Sequence, residues 1–150
     1  LEVAQAGDIV VVCTNGNTTS AVFGEIMATT AVEAGLGGIV VDGAIRDVDG
    51  LEALGLPAFS RSLNPGGCDK DGPGEINVPI SCGNTVVMPG DIVVGDLDGI
   101  AVVPHGDAAE VLELVRGLEE REKTRIAGIK SGELFKADID EILRAKGVLE

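Results

Sequence analysis

GEIMATTAVEAGLGGIVVDGAIRD, residues 24–47, decides how the chain is read. It holds an acidic residue, Glu25, then twenty residues, then the adjacent pair Arg46-Asp47. A helix-like segment closed by Gly35 and an apolar run, Gly38 to Asp42, lie between the two ends. An unbroken apolar run suits a strand in a sheet covered on both faces. Ile9 to Cys13 upstream is a second such run. Strand, helix, strand at this length predicts a right-handed βαβ unit and an α/β fold. The helix is expected over about Thr19 to Ala34, with Val22, Ile26, Thr29, Ala31 and Val32 as its apolar face. Gly24 lies inside that pattern and leaves a second start open, just before Glu25. With the later start, Ile26 and Met27 would offer free N–H groups to a carboxylate. Gly43 to Asp47 is expected to be the loop after the second strand. Two carboxylates beside one guanidinium can hold a hard divalent cation and an anionic substrate together.

Downstream, Val48 to Leu54 reads as a short helix stopped by Gly55 and Pro57, and Ala58 to Arg61 as a brief strand. Asn64 to Gly74 (NPGGCDKDGPG) is expected to be a long, mobile loop. The pattern then turns to β: Ile76 to Ser81, Thr85 to Met88, Asp91 to Gly95 and Ile100 to Val103. Gly83-Asn84, Pro89-Gly90 and Asp98-Gly99 mark the turns between them. Asp107 opens a long helix, with Glu110 spaced for a capping box and Val111, Leu114, Val115 and Leu118 as one apolar stripe. Asp138 to Lys146 is a last short helix, with Asp138 as its cap, Glu141 at its third position and Gly147 as its stop. No internal repeat is visible, and residues 1–150 read as one domain.

Composition narrows the function classes. At 150 residues, folding can bury roughly 70% of the unfolded surface. Apolar residues make up 45%, with three Phe, no Trp and no Tyr. The core is therefore aliphatic and offers no aromatic platform for stacking bases. The net charge of −14 argues against nucleic acid and anionic membranes as partners. An anionic substrate would need a local positive centre, which draws attention to Arg46. Cys13, Cys68 and Cys82 form no CxxC pair, and Cys13 reads as core. A reduced, cytoplasmic protein is expected, with no signal peptide and no transmembrane run.

Five motifs in order carry a resemblance. They are residues 24–47 above, LGLPAFSR (54–61), the glycine loop with Lys70, INVPI (76–80) and MPGDIVVGDLDGIAVVP (88–104). Together they resemble the RraA-like family, in particular its class II pyruvate aldolase branch, the 4-hydroxy-4-methyl-2-oxoglutarate and 4-carboxy-4-hydroxy-2-oxoadipate aldolases. The resemblance covers roughly Gly7 to Glu133. It implies a compact α/β/β sandwich similar to swivelling phosphohistidine domains. It also implies trimers, often paired into hexamers, with active sites between subunits. Family members usually carry a longer N-terminal region, and the single domain read here is expected to be without it. The implied activity is metal-dependent cleavage of 4-hydroxy-2-oxo dicarboxylic acids to pyruvate, with oxaloacetate decarboxylation through the same enolate. The rival within the family is a non-catalytic regulator of ribonuclease E that acts by protein–protein binding, a role the acidic charge would suit.

Roles follow residue by residue. The resemblance makes Asp47 the direct ligand of Mg²⁺ or Mn²⁺, where local sequence alone would make it a helix cap. Arg46 would hold the 2-oxo oxygen and the enolate formed there; otherwise it would pair with Asp42 or Asp49. Glu25 would act on the metal through water; otherwise it is a first-turn glutamate suited to the helix dipole. The backbone from Gly24 through Glu25, Ile26 and Met27 would bind the substrate carboxylate, while the side chains of Ile26 and Met27 read as core. Glu122, or else Glu119, would reach the metal waters from a neighbouring subunit. Asp96 and Asp98 (GDLDG) read as a tight turn, not a metal site. Lys70, in the glycine loop, could approach substrate and otherwise reads as exposed, and His105, with no partner motif, reads as a surface turn residue and not a general base.

Overall fold

A computed structural model describes residues 1–136 and 138–149. They fall into two compact units, Leu1–His105 and Gly106–Glu150.

The first unit is built on a four-stranded parallel sheet. Its axis is β3 (Gly38–Ile45), buried at every position. One edge of β3 pairs with β4 (Ala58–Leu63), from Ile39 opposite Ala58 to Ile45 opposite Leu63. The other edge is shared: β1 (Ile9–Cys13) takes Gly38 to Asp42, and the short β2 (Ala21–Phe23) takes Ala44 and Ile45. All three pairings are parallel. β3 therefore runs three residues further than its apolar run suggested, because Ala44 and Ile45 have strand partners on both sides. The expected loop Gly43 to Asp47 shrinks to Arg46 and Asp47.

The helix expected from Thr19 starts later, at the second of the two positions left open. Residues 21–23 are β2, Gly24 is extended, and α1 spans Glu25–Glu33. Its buried side chains are Ala28 and Ala31, not Val22 and Ile26. Two alanines one turn apart let the helix lie close on the sheet, and a larger residue at either would overpack by about 1–3 kcal/mol. Ile26 is 83% exposed and Met27 is also exposed, so neither side chain belongs to the core. Gly35 ends the helix in a left-handed conformation, its N–H bonding the Val32 carbonyl while that of Leu36 bonds Ala31. The next helix, α2 (Val48–Leu54), matches its expected span and buries Leu51.

β3 alternates in the way that makes layers. Ile39, Val41 and Ile45 join Ala28, Ala31 and Leu51 in one core on the helical face. On the other face lie two antiparallel hairpins, β5 (Ile80–Cys82) with β6 (Thr85–Val87) and β7 (Ile92–Asp96) with β8 (Gly99–Val103). The result is helix, sheet, hairpins: an α/β/β arrangement. Gly95 sits where a Cβ would lie 2.9 Å from the Phe59 ring, so the glycine lets β7 close onto β4. The strand expected over Ile76 to Ser81 is reduced to Ile80–Cys82. Asn77 is left-handed, and Pro79 has no N–H to give to a ladder.

The second unit holds α3 (Ala108–Lys130), entered by a 3₁₀ turn at His105–Asp107, and α4 (Ile139–Ala145). Asp107 and Asp138 stand at the expected cap positions, but neither side chain makes a capping hydrogen bond. The capping boxes with Glu110 and Glu141 therefore do not form, since both aspartates are themselves helical in backbone and the box needs an extended cap residue. Within the charged stretch, Lys123 pairs with Glu120. The Arg125 guanidinium donates to the carbonyls of Glu133 and Leu134, closing the end of α3. No helix among the described residues is long and apolar enough to cross a membrane.

Candidate active site at the carboxyl ends of the strands

Ligands of open parallel sheets bind outside the carboxyl ends of the strands. Here three such ends meet. β2 leads through Gly24 into α1, β3 ends in Arg46-Asp47, and β4 ends at Asn64. Backbone bonds tie the ends together: the Arg46 N–H donates to Phe23, and the Asn64 N–H to Ile45.

Asp47 departs from local rules. Its backbone is left-handed, with φ 58°. The other three described non-glycine residues at positive φ are asparagines, which tolerate it better. Asp47 stands at the cap position of α2 yet makes no side-chain cap bond there. Its Oδ2 instead accepts the Glu25 N–H at 3.3 Å and lies 3.5 Å from Arg46 Nε. The helix-cap reading of Asp47 thus fails on geometry. So does the pairing of Arg46 with Asp42 or Asp49, since the described partner of Asp42 is Arg61. Asp47 Oδ1 makes no hydrogen bond among the described residues, which leaves it available to a cation. Hard oxygen donors suit Mg²⁺ or Mn²⁺, ions that keep several waters and need only one or two carboxylates. No group of three or more His, Cys, Asp or Glu converges among the described residues. Water and substrate would have to complete the shell.

Three glycines give the site its room. A Cβ at Gly24 would stand 2.7 Å from Asp47 Oδ2 and 3.0 Å from Arg46 Cγ. One at Gly50 would stand 2.6 Å from Glu25 Cδ, so the Glu25 carboxylate lies over the start of α2. One at Gly67 would stand 3.1 Å from Arg46 Nη1. Sequence reasoning missed Gly50 and Gly67 as parts of the site. It also took residues 64–68 as free loop, but they are stapled to β2. Ala21 donates to Gly66 at 2.7 Å and accepts from Cys68. The Asn64 side chain bonds the Thr18 carbonyl and the Gly66 N–H. The run Asn64-Pro65-Gly66-Gly67 was the available signal.

The structure therefore brings together Arg46, Asp47, Glu25 and the first turn of α1 as the candidate site. Ile26 and Met27 N–H groups have no acceptor among the described residues, as expected of a helix N-terminus. Arg46 and Asp47 side chains are 42% and 47% exposed, open to a ligand. Lys70 is exposed and makes no described side-chain bond. Glu119 and Glu122 are exposed on α3, in the second unit. Asp96 proves to be a turn residue, its Oδ1 accepting the N–H groups of Asp98 and Gly99. His105 is exposed at its strand end, its backbone N–H on Asp91.

A protein of Halalkalibacterium halodurans, provisionally named 4-hydroxy-4-methyl-2-oxoglutarate aldolase, is 40% identical over 122 residues, 81% of this chain and 58% of its own length. One from Thermus thermophilus, named 4-hydroxy-4-methyl-2-oxoglutarate aldolase, is 33% identical over 105 residues, 70% of this chain and 64% of its own. The crystal structure of Streptomyces coelicolor RraAS2, described as an unusual member of the RNase ES inhibitor RraA family, superposes with a TM-score of 0.79 at 32% identity. That match covers 84% of this chain and 65% of RraAS2. The RraA-like model, Aldolase/RraA, matches residues 1–102, nearly the whole first unit, and the chain belongs to that family.

Proposed function

We propose that the protein is a divalent-metal-dependent pyruvate aldolase acting on 4-hydroxy-2-oxo dicarboxylic acids, with oxaloacetate decarboxylation through the same enolate. One observation carries this reading. Asp47 is held in a left-handed conformation that joins it to Arg46 and to the N-terminus of α1, leaving its own helix uncapped. Strained residues of this kind persist where function needs them. The aldolase names of the relatives support the reaction class.

The substrate carboxylate would sit on the free N–H groups of Ile26 and Met27, where the helix dipole favours an anion. Arg46 would face the 2-oxo oxygen. Removal of the C4 hydroxyl proton lets the C3–C4 bond break. Its electron pair moves into the C2–C3 bond and pushes charge onto the 2-oxo oxygen, while C4 leaves as a carbonyl. Arg46 stabilises that developing oxyanion, and a fixed donor of this kind is worth about 10²–10³ in rate. C3 then takes a proton and pyruvate leaves. In oxaloacetate the departing group is CO₂ and the enolate is the same. Glu25, exposed beside Gly50, is the carboxylate available to hold the water that accepts the first proton. Asp47, with Glu25 through water and Glu122 from a neighbouring subunit of a trimer or hexamer, would hold Mg²⁺ or Mn²⁺. That ion would supply Lewis-acid polarisation of the substrate oxygens.

The test is pyruvate release from 4-hydroxy-4-methyl-2-oxoglutarate and from oxaloacetate, coupled to lactate dehydrogenase, with Mg²⁺ or with EDTA. Metal-dependent turnover that Arg46→Ala and Asp47→Ala both lose is the expected result. Turnover no higher than the metal-only blank, from folded protein, overturns the reading. The likeness to RraAS2 and the charge of −14 favour a second reading, a ribonuclease E regulator. Ribonuclease binding that survives Arg46→Ala, in a chain without turnover, would select it.

A further inference from the structure

We infer that the first unit carries a second ligand site, on the hairpin face of the sheet, that takes a short monocarboxylate with an apolar body and holds it through Arg61. The inference goes beyond the aldolase reading and does not depend on it.

A cavity of about 430 Å³ lies between β3–β4 and the hairpins, walled by Val11, Val40, Phe59 and Val87 and bordered by Asp42 and Arg61. Small-molecule sites span roughly 300–1,000 Å³ and are mostly apolar with a few placed polar groups. None of its lining residues belongs to the Arg46–Asp47 site.

Asp42 is the one buried charged residue among those described, 6% exposed, placed on this face by the alternation of β3. Its Oδ1 accepts the Arg61 Nε–H. Arg61 is 44% exposed and, among the described residues, uses only that one of its five N–H groups. Its Nη pair makes no described bond. A guanidinium fixed along one edge by a buried carboxylate, with a second edge free, is built for bidentate capture of another carboxylate. Because Asp42 already fixes the group, little freedom is lost on binding.

The charges set the ligand class. Asp42 offsets the charge of Arg61, so the site is near neutral inside a chain of net −14. A dianion would meet repulsion with no spare cation, whereas a monocarboxylate can form the fork with one charge. The valine and phenylalanine walls then favour a branched aliphatic body over a polar one. Cys82 also lines the cavity. Burial, then the negative charge of Asp42, pushes its thiol up, so it presents a neutral wall and not a competing thiolate.

The experiment is an amide NMR titration of the whole chain with 3-methylbutanoate and with the uncharged 3-methylbutanamide. Saturable shifts at Cys82, Gly83, Asn84 and Thr85 are expected with the acid, and binding of the amide weaker by about tenfold or more. Arg61→Met should weaken the acid by roughly ten- to a hundredfold, while Arg46→Ala leaves those shifts in place. Should Arg61→Met unfold by stranding Asp42, the neutral pair Asp42→Asn with Arg61→Gln serves the same purpose. No saturable shift at millimolar acid, equal binding of the amide, shifts confined to Ile26 and Met27, or undiminished binding without the Arg61 charge would each overturn the site.

Discussion

The first unit holds two Asp–Arg pairs built from the same residue types and differently used. Arg46 and Asp47 are adjacent in sequence, both nearly half exposed, and touch at 3.5 Å through one atom pair. Asp42 and Arg61 are nineteen residues apart, and one of them is buried. The first pair is loose because each partner has other neighbours: the α1 N-terminus for Asp47, Gly67 for Arg46. The second is tight because a buried carboxylate without a partner is strongly unfavourable. Loose pairing leaves charge free for a ligand, whereas tight pairing spends it on the fold and leaves only an edge over.

The comparison breaks first at turnover. Arg46→Ala or Asp47→Asn should lower kcat by about 10²–10³ with the melting temperature nearly unchanged, because exposed pairs contribute only about 0–1 kcal/mol and asparagine keeps the left-handed backbone of position 47. Steady-state kinetics beside thermal melts would read both. A large loss of melting temperature in either variant would mean that the first pair, too, is structural.

Gly24→Ala is the next largest effect. Its backbone is extended, so alanine fits the chain without strain. The added methyl instead meets Asp47 Oδ2 at 2.7 Å and Arg46. Those flexible side chains can move, so folding should survive while a small misplacement costs roughly tenfold to a hundredfold in kcat/KM. Unchanged kinetics would mean that the spacing of Asp47 and Arg46 does not matter.

The third effect is on stability and runs the other way. Asp42→Ala removes the buried carboxylate, whereas Arg61→Met leaves it buried and alone. Arg61→Met should therefore lower the melting temperature more than Asp42→Ala does, and several times more than Arg46→Ala. Equal melting of the two arginine variants would erase the distinction between the pairs.

Much of this was legible in the sequence, for identifiable reasons. β1, β3 and the β7–β8 hairpin announce themselves by unbroken apolar runs or by an Asp-Gly turn, and α2 by its stop at Gly55 and Pro57. The spacing of Glu25 from Arg46-Asp47 pointed to residues that the structure brings together, because one helix and one strand separate them. The start of α1 was not legible, since Ala21 to Phe23 is a strand only by pairing with Ala44 and Ile45. Ile26 and Met27 looked like core because apolarity does not say which face a helix presents. Gly50 and Gly67 were invisible as site residues, because what matters is the absence of a side chain where Glu25 and Arg46 pass. The Asp42–Arg61 pair was missed for the opposite reason: Arg61 was read as the end of a strand that runs on to Leu63, and nothing local ties it to Asp42.

The smallest effect concerns Cys82, which reports on the tight pair from inside the cavity. Burial raises its thiol most, the charge of Asp42 and then Cys13 raise it further, and Arg61 alone works the other way. An unfolded thiol titrates at about 8.5, below the folded one. Over the window above that value the unfolded chain releases its proton first, so the native state holds more protons. Stability from this group is thus intact below the unfolded value and is lost as pH rises through the folded one. Melting the parent chain and Cys82→Ala side by side from neutral to alkaline pH should show the parent's advantage shrinking. In an Arg61→Met background, if it folds, the lowering influence is gone and the loss should extend to higher pH. A parent–variant difference that stays constant with pH would mean that Cys82 is not buried against Asp42, and that the cavity is more open than its walls suggest.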